Sequence, residues 1–289
     1  MISKEILKKI KQIELSTRRL LSGSLVGDSR SAIKGSGLEF DQIREYQLGD
    51  DVRFIDWKSS VRMDKILVKQ YREERNRTVL LAVDVSSSMF FSSGDQLKSE
   101  SVAQIASVLA LVASYGKDQV GLILFSDDVE LCIPPASGRS HVRKIMETVL
   151  SHAQSQKKTN ICAALRYAVN LKRKDVILFV LSDFIGNDFS KSLGLAASRY
   201  DVVAMRCVDA HEQKFPAVGF LECQDSETGQ SLVLDARGKG VRSINAFLHA
   251  WRSEQDALFK KYGVDCIEIT SRQDFMGDLI KFFRRRMRY

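Results

Sequence analysis

The sequence predicts an α/β fold, a doubly wound and mainly parallel sheet with helices on both faces. Two observations carry this prediction. The first is a set of continuous apolar runs at residues 79–84, 120–125 and 176–181, which are typical of strands buried on both faces of a parallel sheet. The second is that segments of helical periodicity separate these runs, as they do in doubly wound sheets.

The chain before the first buried strand has a different character. Residues 6–21 carry apolar side chains at helical spacing, and the Gly/Ser-rich residues 22–37 are predicted to form a loop. Residues 35–58 mix aromatic side chains with charges of both signs and show little periodicity, which indicates a folded but irregular module. A short strand is predicted over residues 67–71.

The pattern changes at residue 78, so we predict two domains: residues 1–77, the N-terminal helix with the irregular module, and residues 78–289, the α/β domain. Further strands are predicted at the runs 129–133, 202–208 and 266–269, and a hairpin at 220–222 and 231–234, joined through 225–229. Helical periodicity predicts helices over residues 98–115, 141–153, 161–172, 190–198, 241–262 and 274–286.

Composition sets limits on location and partners. The 289 residues include 44 Lys and Arg against 36 Asp and Glu, a formal charge of +8. No apolar stretch approaches the roughly 18 residues that a membrane-spanning helix needs. The first residues have no signal-peptide core, and the five cysteines are scattered, without the close spacing of zinc or redox pairs. We therefore expect a cytoplasmic protein with reduced cysteines.

Oxygen-bearing side chains follow the ends of the predicted strands. Asp84, Ser86 and Ser88 leave the first buried strand, Thr159 precedes a helix, and Asp183 follows a later strand. Because the carboxyl ends of parallel strands meet at one edge of a sheet, these side chains are expected to converge. Two carboxylates and three hydroxyls suit Mg²⁺, with Mn²⁺ next, and leave room for an acidic group of a partner. Roles only as helix caps and turn residues remain the alternative.

Residues 78–210 resemble the von Willebrand factor A domain with its metal-ion-dependent adhesion site. The Asp-x-Ser-x-Ser run of Asp84 matches the first motif of that family, Thr159 the second and Asp183 the third. The resemblance implies that the three hydroxyls bind the metal directly and that the two aspartates often act through water. It also implies supporting roles for Ser182 and Asn160.

The upstream segment reads Gly37-x-Glu39-Phe40-x3-Arg44-x-Tyr46-x2-Gly49-Asp50-Asp51-x-Arg53-x-Ile55-Asp56-Trp57, followed by Ser60 and Arg62. This run resembles the signature of the bacterial domain-of-unknown-function family 58, which fuses such a module to a von Willebrand A-like domain. The resemblance covers nearly the whole chain and implies a neighbouring MoxR-type AAA+ ATPase. The predicted function is therefore a metal-ion-dependent adaptor that works with such an ATPase in the assembly or maturation of protein complexes. Its second partner would be a protein that supplies a carboxylate. Many members carry membrane helices, but none is predicted here.

The signature segment has two interpretations. Its charged residues either pair with each other and hold the module together, which we favour, or form a docking face for a partner. In the first interpretation, Tyr46 and Trp57 anchor the module by burial. The charged residues concerned are Arg44, Asp50, Asp51, Arg53, Asp56 and Arg62.

Catalysis is not predicted. The sequence has no Gly-x-Ser-x-Gly elbow, no Gly-rich phosphate loop, and no histidines at zinc-ligand spacing. One alternative is a Mg²⁺- or Mn²⁺-dependent phosphate-ester hydrolase that uses the same oxygen cluster. Another is a peripheral contact with anionic membranes or nucleic acid through the N-terminal helix and the tail Arg284–Arg288. Nucleic acid is not expected, because no aromatic-basic pattern of a known module is present.

Overall fold

The structure is a computed structural model that describes residues 4–20, 38–47, 50–73, 77–94, 96–152, 157–213, 219–224, 231–236, 238–270 and 275–287. The chain divides into two compact units: Met1–Ser24 with Arg77–Tyr289, and Leu25–Asn76. The loop predicted at 22–37 and the hairpin connection at 225–229 lie outside the described residues.

The described elements, in chain order, are α1 (Lys4–Leu20), β1 (Leu38–Glu45), α2 (Trp57–Met63), β2 (Leu67–Glu73), β3 (Thr78–Asp84), α3 (Lys98–Tyr115), β4 (Gln119–Phe125), β5 (Val129–Ala136), α4 (Arg139–Ser151), α5 (Ile161–Asn170), β6 (Val176–Ser182), α6 (Ser190–Ala197), β7 (Asp201–Val208), α7 (Ala210–Gln213), β8 (Gly219–Gln224), β9 (Ser231–Ala236), α8 (Lys239–Lys261), β10 (Asp265–Thr270) and α9 (Phe275–Met287).

A six-stranded sheet forms the centre of the larger unit, in the order β10-β7-β6-β3-β4-β5. All neighbouring strands are parallel except β5, which pairs antiparallel with β4. The strands β3, β4 and β6 are buried along nearly their whole length, because helices cover both faces. The predicted fold class, a doubly wound and mainly parallel sheet, is confirmed.

Alternate residues of each strand supply two separate cores. On β3, Val79, Leu81 and Val83 face one layer, built with α1, α3, α4 and α9. Leu80 and Ala82 face the other layer, built with α5, α6 and α8. The continuous apolar runs therefore arise because successive side chains on a strand point to opposite, equally buried faces.

Helix α1 belongs to the larger unit, which differs from the predicted domain of residues 1–77. Its Ile10 is buried in the core beside α3 and α4, and Ile6 and Ile13 pack against the same core. Lys9 Nζ lies 2.9 Å from Glu100 Oε1 of α3. The apolar stripe of α1 packs on the sheet's helical layer, whereas the small unit begins only at Leu25.

The smaller unit contains a two-stranded antiparallel sheet of β1 and β2, with α2 between them in sequence. The sequence did not predict β1. Its pairing register shifts between Phe40 and Gln42, and a bulge of this kind interrupts the alternation of apolar and polar residues that identifies a strand. The module is thus more regular than its sequence indicated.

Strands β8 and β9 pair antiparallel in a separate two-stranded sheet, so the predicted hairpin strands are confirmed. The short helix α7 was not predicted. Among the described residues, each helix is too short or too polar to span a lipid bilayer.

Candidate functional site

Three loops meet at the carboxyl edge of the central sheet, and backbone contacts hold them together. The loop after β3 is fixed by Val85 N, which donates to Phe125 O at 2.8 Å, and by Ser87 N, which donates to Lys157 O at 3.2 Å. The loop before α5 is fixed by Asn160 N, which donates to Ser126 O at 2.7 Å. The loops after β3 and β4 and the segment before α5 therefore form one scaffold.

The hydroxyl groups of Ser86, Ser88 and Thr159 converge on this scaffold. Thr159 Oγ1 donates to Ser86 Oγ at 2.7 Å, and the Oγ atoms of Ser86 and Ser88 are 3.2 Å apart. Ser86 and Thr159 are buried and Ser88 is half-buried. Three hydroxyls from two distant chain segments thus form a compact group with limited access to solvent, which we call the hydroxyl cluster.

Asp84 lies beside the hydroxyl cluster and is almost fully buried. Its Oδ1 accepts from Ser86 N at 3.0 Å, and its Oδ2 accepts from Ser182 Oγ at 2.5 Å. Burial, and then the charge of Asp183, raise the pKa of Asp84 to about 7, although the hydrogen bonds to its carboxylate oppose this shift. Asp84 therefore holds its negative charge weakly when no cation is nearby.

Asp183 follows β6 and is also buried. Its Oδ1 accepts from Ile185 N at 3.0 Å, and its Oδ2 accepts from Lys98 Nζ at 3.0 Å. The same ammonium group donates to Glu212 Oε1 at 2.8 Å. The third motif of the predicted site is thus linked to a buried lysine and a second acid.

The sequence did not identify Lys98 or Glu212 as site residues. Lys98 is the first residue of α3, and the positive end of a helix disfavours a cation. A lysine directly at the start of a buried helix was the available signal that acidic partners would be near. Nothing in the sequence pointed to Glu212, because its approach depends on how α7 packs after β7.

The loop after Asp183 has an unusual backbone. Phe184 has a positive φ of 58°, in the left-handed region that glycine favours. Its side chain packs against Phe189 and Phe259, and its carbonyl accepts from Gln255 Nε2 of α8 at 2.8 Å. Packing on both sides therefore stabilises a conformation that turns the chain sharply at the site.

Gly186 places this same loop against Thr159. Its φ is 156°, and a Cβ at this position would lie 3.1 Å from Thr159 O. The loop after β6 and the segment that carries Thr159 thus pass closer together than a side chain would readily allow. This approach helps to position the Thr159 hydroxyl.

The two residues predicted to support the site differ in their roles. Ser182 contacts Asp84 through its hydroxyl, which also accepts from Phe184 N at 3.0 Å. The Asn160 side chain caps α5 by accepting from Ala163 N, and donates to Asp127 O. Its side chain makes no described bond to the hydroxyl cluster, because the start of α5 needs a capping acceptor there.

The charged residues of the signature segment mostly pair with near neighbours. Arg44 makes a two-pronged ion pair with Asp50, with N–O distances of 2.7 and 2.8 Å. Arg53 pairs with Asp51, whose side chain also accepts from Arg53 N. Asp56 caps α2 by accepting from Ser59 N and lies 3.4 Å from the Lys69 ammonium.

Burial does not anchor the module through its tryptophan, contrary to the prediction. The Trp57 side chain is 65% exposed, and Tyr46 is only half-buried. Arg62 is exposed and takes part in none of the described ion pairs. Ser60 is the buried residue of α2, where its Oγ donates to Asp56 O and accepts from Leu67 N. A small hydroxyl side chain therefore joins α2 to β2.

Two arginines of the C-terminal tail make contacts within the fold. Arg286 donates to both Asp201 and Asp265, which begin β7 and β10, at 2.7 to 2.8 Å. Arg285 lies 3.6 Å from Asp265 and stacks over the Phe282 ring. Arg288 lies outside the described residues. These contacts leave less of the tail free for phosphates than its sequence indicated.

The spacing of the hydroxyl cluster fits a small divalent cation. Adjacent oxygens of an octahedral Mg²⁺ site, at about 2.1 Å from the metal, lie about 3.0 Å from each other. The observed separations of 2.7 and 3.2 Å bracket that value. No group of three or more His, Cys, Asp or Glu among the described residues could hold a metal ion, so a cation here would depend mainly on hydroxyl oxygens.

A pocket of about 480 Å³ lies elsewhere, at the junction of α8 and β10. It is lined by Arg206 with Asp256 and Glu268, and none of the candidate site residues lines it. The Arg206 guanidinium is buried and already paired with both acids at 2.9 and 3.0 Å. These contacts explain the polar lining of the pocket without a ligand.

Comparison with known proteins places the chain in a family. A mycobacterial protein named Uncharacterized protein Rv1480, from Mycobacterium tuberculosis, is 25% identical over 284 residues, which are 96% of this chain and 89% of the relative. Uncharacterized protein Mb1516 of Mycobacterium bovis matches with the same values. The names of these relatives describe no activity.

Solved structures that match the chain include BatB from Bacteroides thetaiotaomicron. The match has a TM-score of 0.49 and 15% identity, and covers 74% of this chain and 100% of that one. The VWA domain of SpRpn10 has a TM-score of 0.41 and 8% identity, and covers 72% of this chain and 95% of that one. The family described as "Protein of unknown function DUF58" matches residues 42–256, well over half of the sequence. The chain therefore belongs to the DUF58 family.

Proposed function

We propose that the protein is a metal-ion-dependent adaptor that binds partner proteins through a Mg²⁺ or Mn²⁺ ion at the hydroxyl cluster. The observation that carries the proposal is that Ser86 Oγ lies 2.7 Å from Thr159 Oγ1 and 3.2 Å from Ser88 Oγ, beside two buried carboxylates. Hydroxyl and carboxylate oxygens are the donors that these hard cations prefer.

Each side chain would have a distinct role. The Ser86, Ser88 and Thr159 hydroxyls would hold the ion, which when bound supplies a positive charge for an anionic group. Asp84 contributes negative charge, and its bonds to Ser86 N and Ser182 Oγ fix its orientation. Because few carboxylates face the cluster, a partner's Asp or Glu would complete the binding site.

The proposed partner is a MoxR-type AAA+ ATPase, with a carboxylate-bearing protein as the second ligand. Membership of the DUF58 family supports this proposal, because the resemblance of the signature segment implies such a neighbour. We propose that the protein acts in the cytoplasm, in the assembly or maturation of protein complexes, and that it binds rather than catalyses.

A pull-down with the purified neighbouring ATPase tests the proposal. Full-length protein is compared in Mg²⁺ and in EDTA, together with Asp84→Asn, Ser86→Ala and the control Glu147→Ala on the distant helix α4. We expect retention in Mg²⁺ to be lost in EDTA and in the two site variants, but kept in the control. Retention that is indifferent to EDTA and to both site variants would contradict metal-dependent binding.

The hydrolase alternative has its own test. The protein is incubated with a set of phosphate esters in Mg²⁺ or Mn²⁺, and Asp183→Asn is assayed beside it. We expect no turnover. Turnover that disappears in the variant would replace the adaptor proposal with a catalytic one.

A further inference from the structure

Lys98 is a fully buried cation next to Asp183, one of the candidate site residues. It is 1% exposed, and its ammonium group bridges Asp183 Oδ2 at 3.0 Å and Glu212 Oε1 at 2.8 Å. Lysine is almost never fully buried without partners, and the first turn of a helix is an unfavourable place for a cation. The two acids must therefore offset both costs.

Glu212, one of the two acids that bind the Lys98 ammonium, is itself held in place by hydrogen bonds. Glu212 Oε2 accepts from Asp209 N at 2.9 Å, and Glu212 O accepts from the Arg252 guanidinium at 2.9 Å. Burial lowers the pKa of Lys98, but Asp183 and Glu212 together raise it above its ordinary value. Lys98 is therefore a cation held in one place, and its position does not depend on solvent.

The ionisable groups around the hydroxyl cluster carry a net negative charge. The Lys98 ammonium contacts two carboxylates, those of Asp183 and Glu212, and Asp84 adds a third acidic group beside Asp183, so three negative charges accompany one positive charge when all are ionised. This leaves two negative charges, which one divalent cation would neutralise. Without Lys98 the three carboxylates, of which Asp84 and Asp183 are buried and Glu212 is partly exposed, would repel each other and attract cations more strongly.

We propose that Lys98 is an internal counter-ion of the site, which keeps the cluster stable when no metal is bound and lowers its affinity for divalent cations. The inference rests on the proposed function, because it assumes that the hydroxyl cluster binds a cation. It assigns to Lys98 a positioning and affinity-setting role, not direct contact with the metal.

Calorimetric titration of the full chain with MgCl₂, and separately with MnCl₂, tests the effect on affinity. Lys98→Met removes the charge but keeps the length, and we expect it to tighten metal binding by at least about tenfold. Glu212→Gln removes an acid on the other side of the ammonium, so we expect weaker binding. The exposed Lys9→Met, which also loses one positive charge and sits beside α3, should leave the affinity close to that of the wild type.

Thermal unfolding in EDTA and in excess Mg²⁺ gives a second readout. We expect Lys98→Met to lose several degrees of melting temperature in EDTA and to regain most of that loss in Mg²⁺, because the metal then replaces the missing charge. Lys9→Met should show no such recovery. This comparison separates an electrostatic role from general loss of packing.

Affinity changes of the same sign in Lys98→Met and Glu212→Gln would overturn the proposal, as would unchanged affinity in both. If Lys98→Met does not fold even in Mg²⁺, the metal affinity of Glu212→Gln still tests the proposal, which expects that affinity to be weaker than in the wild type. If the wild type and both variants bind no metal, the affinity role fails together with the metal-dependent adaptor. If all bind metal but no partner requires it, only the adaptor fails.

Discussion

Asp84 is a buried carboxyl group beside a second carboxyl group, so its ionisation is opposed twice. Burial has the larger effect and the charge of Asp183 the smaller, and together they raise its pKa to about 7. Hydrogen bonds from Ser86 and Ser182 lessen the shift but do not remove it. The metal-free protein therefore carries a carboxyl that titrates near neutral pH instead of near pH 4.

This residue predicts how stability depends on pH without metal. Below about pH 4 Asp84 is protonated in both the folded and the unfolded chain, and its contribution to stability is fully present. Between about pH 4 and 7 only the folded chain keeps the proton, so the free energy of unfolding falls by up to about 1.4 kcal/mol per pH unit. Above pH 7 the contribution is lost.

Denaturant unfolding in EDTA at several pH values measures this effect. Asp84→Asn cannot titrate, so the difference in unfolding free energy between the wild type and this variant should shrink or reverse as pH rises from 4 to 8. A difference that stays constant over this range would show that the pKa of Asp84 is not raised.

At the scale of elements, α2 joins its module through one small side chain. Ser60 is buried and bonds both Asp56 O and Leu67 N, whereas Trp57 projects into solvent. The large aromatic residue of the signature therefore contributes little to folding, and the hydroxyl beside it contributes more.

Substitutions in α2 should show that Ser60 contributes more to stability than Trp57. Ser60→Ala leaves the buried Leu67 amide without an acceptor and should destabilise the protein by about 1–3 kcal/mol. Trp57→Ala should change stability by no more than about 0.5 kcal/mol, as is usual for exposed residues. Urea unfolding measures both. A larger loss for Trp57→Ala than for Ser60→Ala would contradict this account of α2.

Helix α9, like α2, is joined to the neighbouring strands through one polar side chain, here Arg286. This side chain reaches the first residues of two parallel strands, Asp201 of β7 and Asp265 of β10. We expect Arg286→Met to cost about 1–2 kcal/mol, since hydrogen bonds between charged groups are lost on both strands. The neighbouring exposed Arg284→Met should be nearly neutral, and thermal unfolding compares the two. Equal effects would mean that the tail arginines act only through their charge.

For the whole molecule, a bound cation should appear as added stability. A ligand that binds only the folded chain at a concentration 100 times its Kd raises the free energy of unfolding by about 2.7 kcal/mol. We therefore expect Mg²⁺ to raise the melting temperature of the wild type and to have little effect on Ser86→Ala. Equal shifts in both proteins would place any bound Mg²⁺ outside the hydroxyl cluster.

The elements of the sheet were predictable because each carries a strong local signal. Continuous apolar runs identify β3, β4 and β6, and the approach of Asp84 to Asp183 follows from parallel strands that end at one edge. Thr159 instead precedes α5 and reaches Ser86 because its segment packs against the loop after β4. Strand β1 was missed because its bulge disrupts the alternation. Helix α1 was assigned to the wrong unit because an amphipathic stripe shows that a helix packs, but not on what.

The sequence alone determined the family, the class of fold and the side chains that supply the candidate site, because these depend on local pattern and on motif spacing. Only the tertiary structure decided what surrounds those side chains. Lys98 and Glu212 are 114 residues apart in sequence, yet they meet beside Asp183. Contacts of this kind depend on how helices pack over strand ends. The position of Lys98 at a helix start indicates that acidic partners are near, but no local pattern identifies which acids they are.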